Sequence, residues 1–243
     1  MTSVPAPTMD LLARVTFTLA ILSSVYFIRR ANSDPNPSPP PKTNTFQKKD
    51  FLMTAGNQVT MRRHINFITA VGLAHAVLAG LPEPQRPSMC PAYNDPTSVD
   101  SGLFNWNNYT ATVLTILTTA GLLRLAAYAN LGASFTFNIT KPSSGLKTTG
   151  VHRYVRHPSY SAIMVIAVAM VMLLFRDGGL MGCWFPAQFA RIIDKAALVW
   201  AFVVSPTLFW ARVTQEEEFL IKTFGLEYVE YSARTKRFIP FVF

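Results

Sequence analysis

The chain has 243 residues, half of them hydrophobic and only 14% charged, where an ordinary soluble domain carries about 25% charged residues. A formal net charge of +9 would suit a nucleic-acid binder only if the cations clustered on a soluble face around a recognition motif. They fall instead in loops between apolar runs, so the composition excludes a conventional soluble domain, gives no reason for a nucleic-acid partner, and points to an all-α polytopic membrane protein.

Five apolar stretches approach the roughly 20 residues that a helix needs to cross a hydrocarbon core: residues 9–28, 65–81, 109–131, 160–175 and 193–210. The first reads as a retained membrane anchor (residues 1–31) rather than a cleaved signal, because it lacks a basic lead-in and is followed by Arg29-Arg30 where small residues would be expected. A Pro-rich and basic linker follows over residues 32–64, opening with "NSDPNPSPPP", which cannot be helical. Two spans then occupy residues 65–131, separated by "LPEPQRPSMCPAYNDP", read as a plain connector. Residues 132–243 hold the last two spans as a helical hairpin, followed by a polar tail.

Short loops rich in Lys and Arg stay cytosolic. Residues 29–64 carry Arg29, Arg30, Lys42, Lys48, Lys49, Arg62 and Arg63, whereas residues 82–108 carry only Arg86. The alternation continues along the chain and places the amino terminus outside and the carboxyl terminus in the cytosol. Cys90 and Cys183 then share the lumenal side, where a bridge is permitted, although two separate thiols are the expectation. No metal-ligand spacing is present in the sequence.

With this topology the segment "GVHRYVRHPSY", ending at Tyr160, and the tail "ARVTQEEEFLIKTFGLEYVEYSARTKRFIPFVF", starting at Ala211, meet at one cytosolic surface. Arg212 and Glu216 are four residues apart and share a helix face. Glu216, Glu217 and Glu218 point in different directions around a helix, and Glu217 and Glu218 read as a solvated face. Gly225 marks a break after Phe224. Taken singly, Arg153 reads as an interfacial anchor, the tyrosines as an aromatic belt, and Pro158 as a helix-start proline.

The combination says more. Arg156-His157-Pro158-Ser159-Tyr160 at one span entry, Arg212-x-x-x-Glu216-Glu217 leaving the next, Phe224-Gly225-x-Glu227-Tyr228-x-x-Tyr231, and a terminal "IPF" together resemble the isoprenylcysteine carboxyl methyltransferase family, integral-membrane enzymes related to phospholipid methyltransferases. The resemblance runs from Phe135 to Phe243. It implies an endoplasmic reticulum enzyme that uses S-adenosyl-L-methionine to methylate the carboxylate of a prenylated carboxyl-terminal cysteine. Carried over residue by residue, it places Leu146, Lys147, His157, Pro158, Ser159, Tyr160 and Glu216 around the cofactor and turns Arg212 to the lipid substrate. The chain departs from the family pattern at two places: Ser144-Gly145-Leu146-Lys147 replaces the usual His-x-Leu-Val, and His152 stands where a tyrosine is usual.

These residue types suit such a reaction. A carboxylate acceptor ionises near pH 3.5 and needs no general base at neutral pH; it needs alignment, which can contribute about 7–11 kcal/mol. An arginine fork holds a carboxylate in a fixed plane, the role expected of Arg212. Glu216 suits a cationic part of the donor, and Arg156 or His157 suits its carboxylate. Alternatives of the same architecture are methylation of a phospholipid amine or another lipophilic acceptor, and a catalytically silent paralogue that binds prenyl groups or lipid. A sterol-type reductase shares some of the terminal motifs, but its nicotinamide would require more cytosolic surface than this chain offers.

Overall fold

A computed structural model of the chain describes residues 11–33, 35–36, 55–137, 139, 141–142 and 144–240. Among them the structure is helical: α1 (Leu11–Ala31), α2 (Ala55–Gly80), α3 (Asn108–Leu131), α4 (Pro158–Leu174), α5 (Ala187–Val199), α6 (Ser205–Phe224) and α7 (Leu226–Arg234). A π turn, Trp200–Val204, joins α5 to α6, so Ala187–Phe224 is one continuous helix of 38 residues. The described residues contain no strand, only a parallel bridge between Val155 and Lys236.

Helical spacing of apolar residues builds the core. Phe17, Ile21, Val25 and Ile28 form one stripe of α1 and are buried against α2 and α3, while Leu11, Val15, Leu19, Leu22 and Tyr26 are exposed on the other side. A helix apolar on all faces is one whose outer face also meets an apolar medium. Among the described residues three helices, Leu11–Ala31, Asn108–Ser134 and Ala187–Phe224, are long and apolar enough to cross a membrane, and Pro158–Leu174 is apolar but shorter. The chain is an all-α membrane protein.

Element boundaries differ from the sequence reading in two places. Helix α2 begins at Ala55, so residues 55–64 of the expected linker are helical; polar residues end a hydrophobic span without ending a helix, and no proline interrupts this stretch. The Pro-rich run at 37–41 lies outside the described residues. The last span, expected to stop at 210, continues to Phe224. Pro206 is accommodated inside it because the π turn immediately before it absorbs the i→i−4 hydrogen bond that proline cannot make.

Helices α1 to α4 alternate in direction. The carboxyl ends of α1 and α3 therefore gather with the amino ends of α2 and α4 at one end of the bundle. At the other end the connector 82–107 is folded rather than plain. Arg86 is fully buried and donates to Tyr93 Oη (2.6 Å), Asn105 Oδ1 (3.2 Å) and the carbonyls of Leu81 and Ala79. The expectation of two separate thiols is overturned: Cys90 and Cys183 are joined in a disulfide that ties this connector to the α4–α5 turn. The sequence could not show this, because the two turns meet only after α1–α3 and the α4–α5 hairpin have packed together.

Candidate active site

Helix α4 starts at Pro158, whose fixed φ and missing N–H suit a first helical turn. The residues before it are held by the returning tail. The Arg156 N–H donates to Lys236 O (2.7 Å), the His157 N–H to Arg237 O (3.0 Å), and Ser161 Oγ to Phe238 O (2.7 Å). The hinge between tail and hairpin is Glu217. Its Oε1 accepts from Arg156 Nε (2.8 Å) and His157 Nε2 (3.2 Å), and its Oε2 accepts from Arg237 Nε (2.9 Å) and Nη2 (2.5 Å). Arg156 also donates to the Ser232 and Thr235 carbonyls. Glu217 is only 7% exposed, which corrects its reading as part of a solvated face; Glu218 is half-buried. At about 100° per residue, position 217 turns toward the tail while 216 turns away.

Glu216 faces a cavity of about 950 Å³ at the gathered helix ends. Tyr160 Oη donates to Glu216 Oε2 (2.8 Å) and accepts from Arg212 Nε (3.3 Å), and Arg212 Nη2 donates to the Phe137 carbonyl. Arg212, Tyr160 and Glu216 thus form one hydrogen-bonded chain on the wall. Arg156, His157, Pro158 and Ser159 line the same cavity, whereas Leu146 and Lys147 are not on its wall. The sequence reading therefore gathered seven of its expected site residues at one place. The rest of the wall includes apolar Met61, Ile65, Ile163, Leu208 and Phe209. Among the described residues, five arginines, Arg29, Arg62, Arg124, Arg156 and Arg212, line it against one carboxylate, Glu216.

His152 also lines the cavity. It is buried, and its Nδ1 lies 2.6 Å from Asn130 Oδ1 while its carbonyl accepts from Tyr231 Oη (2.6 Å). Burial, and secondarily the nearby His157, pull its pKa down to about 4, so the ring is neutral at pH 7 and the Nδ1–H donates to Asn130. Gly150, two residues earlier, has φ +63°, and a Cβ there would sit 2.4 Å from Asn130 Nδ2. The glycine lets the loop approach α3 closely enough for the His152 contact.

Arg124 escaped the sequence reading. It is 6% exposed, lines the cavity, and donates to Ala31 O (2.8 Å), Ser159 O (2.6 Å) and Ser159 Oγ (2.7 Å). The signal was present: Arg124 is the only charged residue in the apolar run 109–131, and an ionisable residue within a span marks a functional or paired position.

Residues 111–194 match the model of the isoprenylcysteine carboxyl methyltransferase (ICMT) family, from early α3 into α5. Protein-S-isoprenylcysteine O-methyltransferase B of Arabidopsis thaliana is 32% identical over 132 residues, covering 53% of this chain and 58% of the relative. The A protein of the same plant is 32% identical over 124 residues, covering 50% and 54%. The Homo sapiens protein-S-isoprenylcysteine O-methyltransferase is 30% identical over 123 residues, covering 49% and 37%. The matched stretch therefore spans about half the length of the plant relatives. The Arg-His-Pro-Ser-Tyr helix entry on the cavity wall thus falls inside the stretch that matches the isoprenylcysteine carboxyl methyltransferase family model, and over that stretch the chain is similar to members of that family.

Proposed function

We propose that the chain transfers a methyl group from S-adenosylmethionine to the carboxylate of a prenylated carboxyl-terminal cysteine, at the cytosolic face of the endoplasmic reticulum membrane. The observation that carries this reading is the Arg212–Tyr160–Glu216 chain on the wall of a cavity that has both a charged and an apolar side.

The cavity fits the donor chemically. Its volume of about 950 Å³ lies within the range of about 300–1,000 Å³ for small-molecule sites, and a carboxylate among arginines suits a ligand that carries an ammonium, a sulfonium and a carboxylate. Glu216 would hold a cationic part of it, with His157, Pro158, Ser159 and Tyr160 alongside and the Leu146–Lys147 loop leading in. When bound, adenosylmethionine supplies the electrophilic sulfonium methyl.

Arg212 would hold the acceptor carboxylate. Its guanidinium is already oriented by the Tyr160 hydroxyl and the Phe137 carbonyl, so little alignment remains to be made when the acceptor arrives. No side chain needs to remove a proton, since the acceptor is ionised at neutral pH. Five arginines against one glutamate among the described residues of the wall favour an anionic acceptor over a protonated phospholipid amine. The apolar side, formed by Met61, Ile65, Leu208 and Phe209, suits a prenyl chain, and protein-S-isoprenylcysteine is the acceptor in the relatives' names.

The Lys and Arg asymmetry of the loops supports a cytosolic cavity end. The Cys90–Cys183 disulfide at the opposite end supports an oxidising compartment there. The test is to incubate membranes containing the protein with methyl-labelled adenosylmethionine and either a farnesylated cysteine analogue or phosphatidylethanolamine. Base-labile label on the cysteine analogue is expected; base-stable label on the phospholipid, or none on either, contradicts the reading.

A further inference from the structure

We infer that Arg124 is a positioning residue that makes the amino-terminal helix α1 part of the active site. Its consequence for methyl transfer rests on the function proposed above.

Arg124 reaches two elements from α3. Nε donates to the carbonyl of Ala31, the last residue of α1, and Nη1 donates to both the carbonyl and the hydroxyl of Ser159 in the first turn of α4. Tyr128, one turn further along α3, donates its hydroxyl to the same Ala31 carbonyl (2.6 Å). The residue after Ser159 is Tyr160, which bonds Glu216 and Arg212. A continuous path thus runs from the end of α1 through Arg124 and the Ser159–Tyr160 step to the charged wall.

The electrostatics are asymmetric. A cation is favoured at the carboxyl end of α1 and disfavoured at the amino end of α4, where the helix dipole is positive. Arg124 is therefore no ordinary cap of α4; its two bonds to Ser159 offset an unfavourable placement. A buried cation is costly unless its donors are satisfied, and here Nε and Nη1 are satisfied only if the α1 terminus and Ser159 both stay in place. The fork geometry matters, because a lysine ammonium presents its three donors from one atom and cannot reproduce the separate Nε and Nη1 positions that reach Ala31 and Ser159.

The test uses full-length protein in lipid nanodiscs carrying Arg124→Lys. Hydrogen exchange is expected to rise about tenfold in residues 28–33 and 157–162, as for loss of one bond to a charged group, with residues 165–174 and the connector 82–107 unchanged. Adenosylmethionine affinity is expected to fall by about the same factor, while KM for a farnesylated cysteine analogue stays near wild type. Unchanged exchange at 157–162, or a rise spread evenly over the chain, overturns the positioning role. Local exchange changes with full donor affinity would overturn the link between Arg124 and the site. If wild-type protein binds no adenosylmethionine, the proposed function fails, and the exchange pattern alone decides the positioning role.

Discussion

Glu216 and Glu217 are neighbours with opposite duties. Glu216 reaches Tyr160 on the cavity wall, and Glu217 is buried beneath Arg156, His157 and Arg237. Glu216→Ala is expected to abolish most adenosylmethionine binding while the thermal midpoint stays near wild type. Glu217→Ala leaves the partly buried Arg156 and Arg237 guanidiniums without their carboxylate and is expected to cost about 2–3 kcal/mol of stability, as for lost hydrogen bonds to charged groups, read as a lowered midpoint and easier proteolysis after Arg234. A pair of variants with the same loss of stability and the same loss of binding would refute this division. The Arg212–Glu216 pairing was legible because residues four apart must share a face. The burial of Glu217 was not, because its partners lie about 60 residues back and 20 ahead in the chain.

His152 gives a pH dependence with a definite sign. Its folded pKa is depressed to about 4 from an ordinary value near 6.5, so below pH 6.5 the unfolded chain takes up a proton that the folded protein refuses. Its contribution to stability is full above pH 6.5 and is lost as pH falls toward 4. The difference in thermal midpoint between wild type and His152→Asn should therefore shrink over that interval. A constant difference would remove His152 as the source.

At the scale of elements, the apolar runs announced the helices, since a span needs only length and hydrophobicity to be seen. Their ends were less visible. Helix α2 starts ten residues before the expected span, and α6 passes Pro206 after a π turn, because neither polarity nor a single proline is enough to end a helix when packing continues. The role of α1 was also hidden: it reads as a separate anchor, yet it packs on α2 and α3. At Gly121 of α3 a Cβ would lie 2.7 Å from the Phe27 ring, the close approach that small residues allow between membrane helices. Gly121→Leu is expected to push α1 away, lowering the thermal midpoint and methyl transfer together. Full activity in that variant would show that α1 is dispensable to the site.

Across the whole molecule, one end is pinned and the other is open. The Cys90–Cys183 bridge and the Asp100 N–H to Gly178 O bond (2.8 Å) fix the connector to the α4–α5 turn, and the buried Arg86 ties the connector to itself and to the end of α2, while the cavity lies at the opposite end. Protein isolated without reductant should show no thiol reactive to a maleimide mass tag after denaturation, and two after reduction. Cys90→Ser should lower the thermal midpoint, since a bridge closing a separation of 93 residues restricts the unfolded chain substantially.

The claim that joins these scales is that the Arg212–Tyr160–Glu216 chain aligns a carboxylate with a methyl donor. The most direct measurement is base-released labelled methanol from a farnesylated cysteine analogue, using purified protein in lipid bilayers, comparing wild type with Tyr160→Phe, which keeps the ring and deletes the bridging hydroxyl. Steady ester formation by wild type, with kcat/KM lower by roughly tenfold or more in Tyr160→Phe, as for loss of hydrogen bonds to charged groups, is the expected result. No ester above a Glu216→Ala control, or equal rates for wild type and Tyr160→Phe, would contradict it.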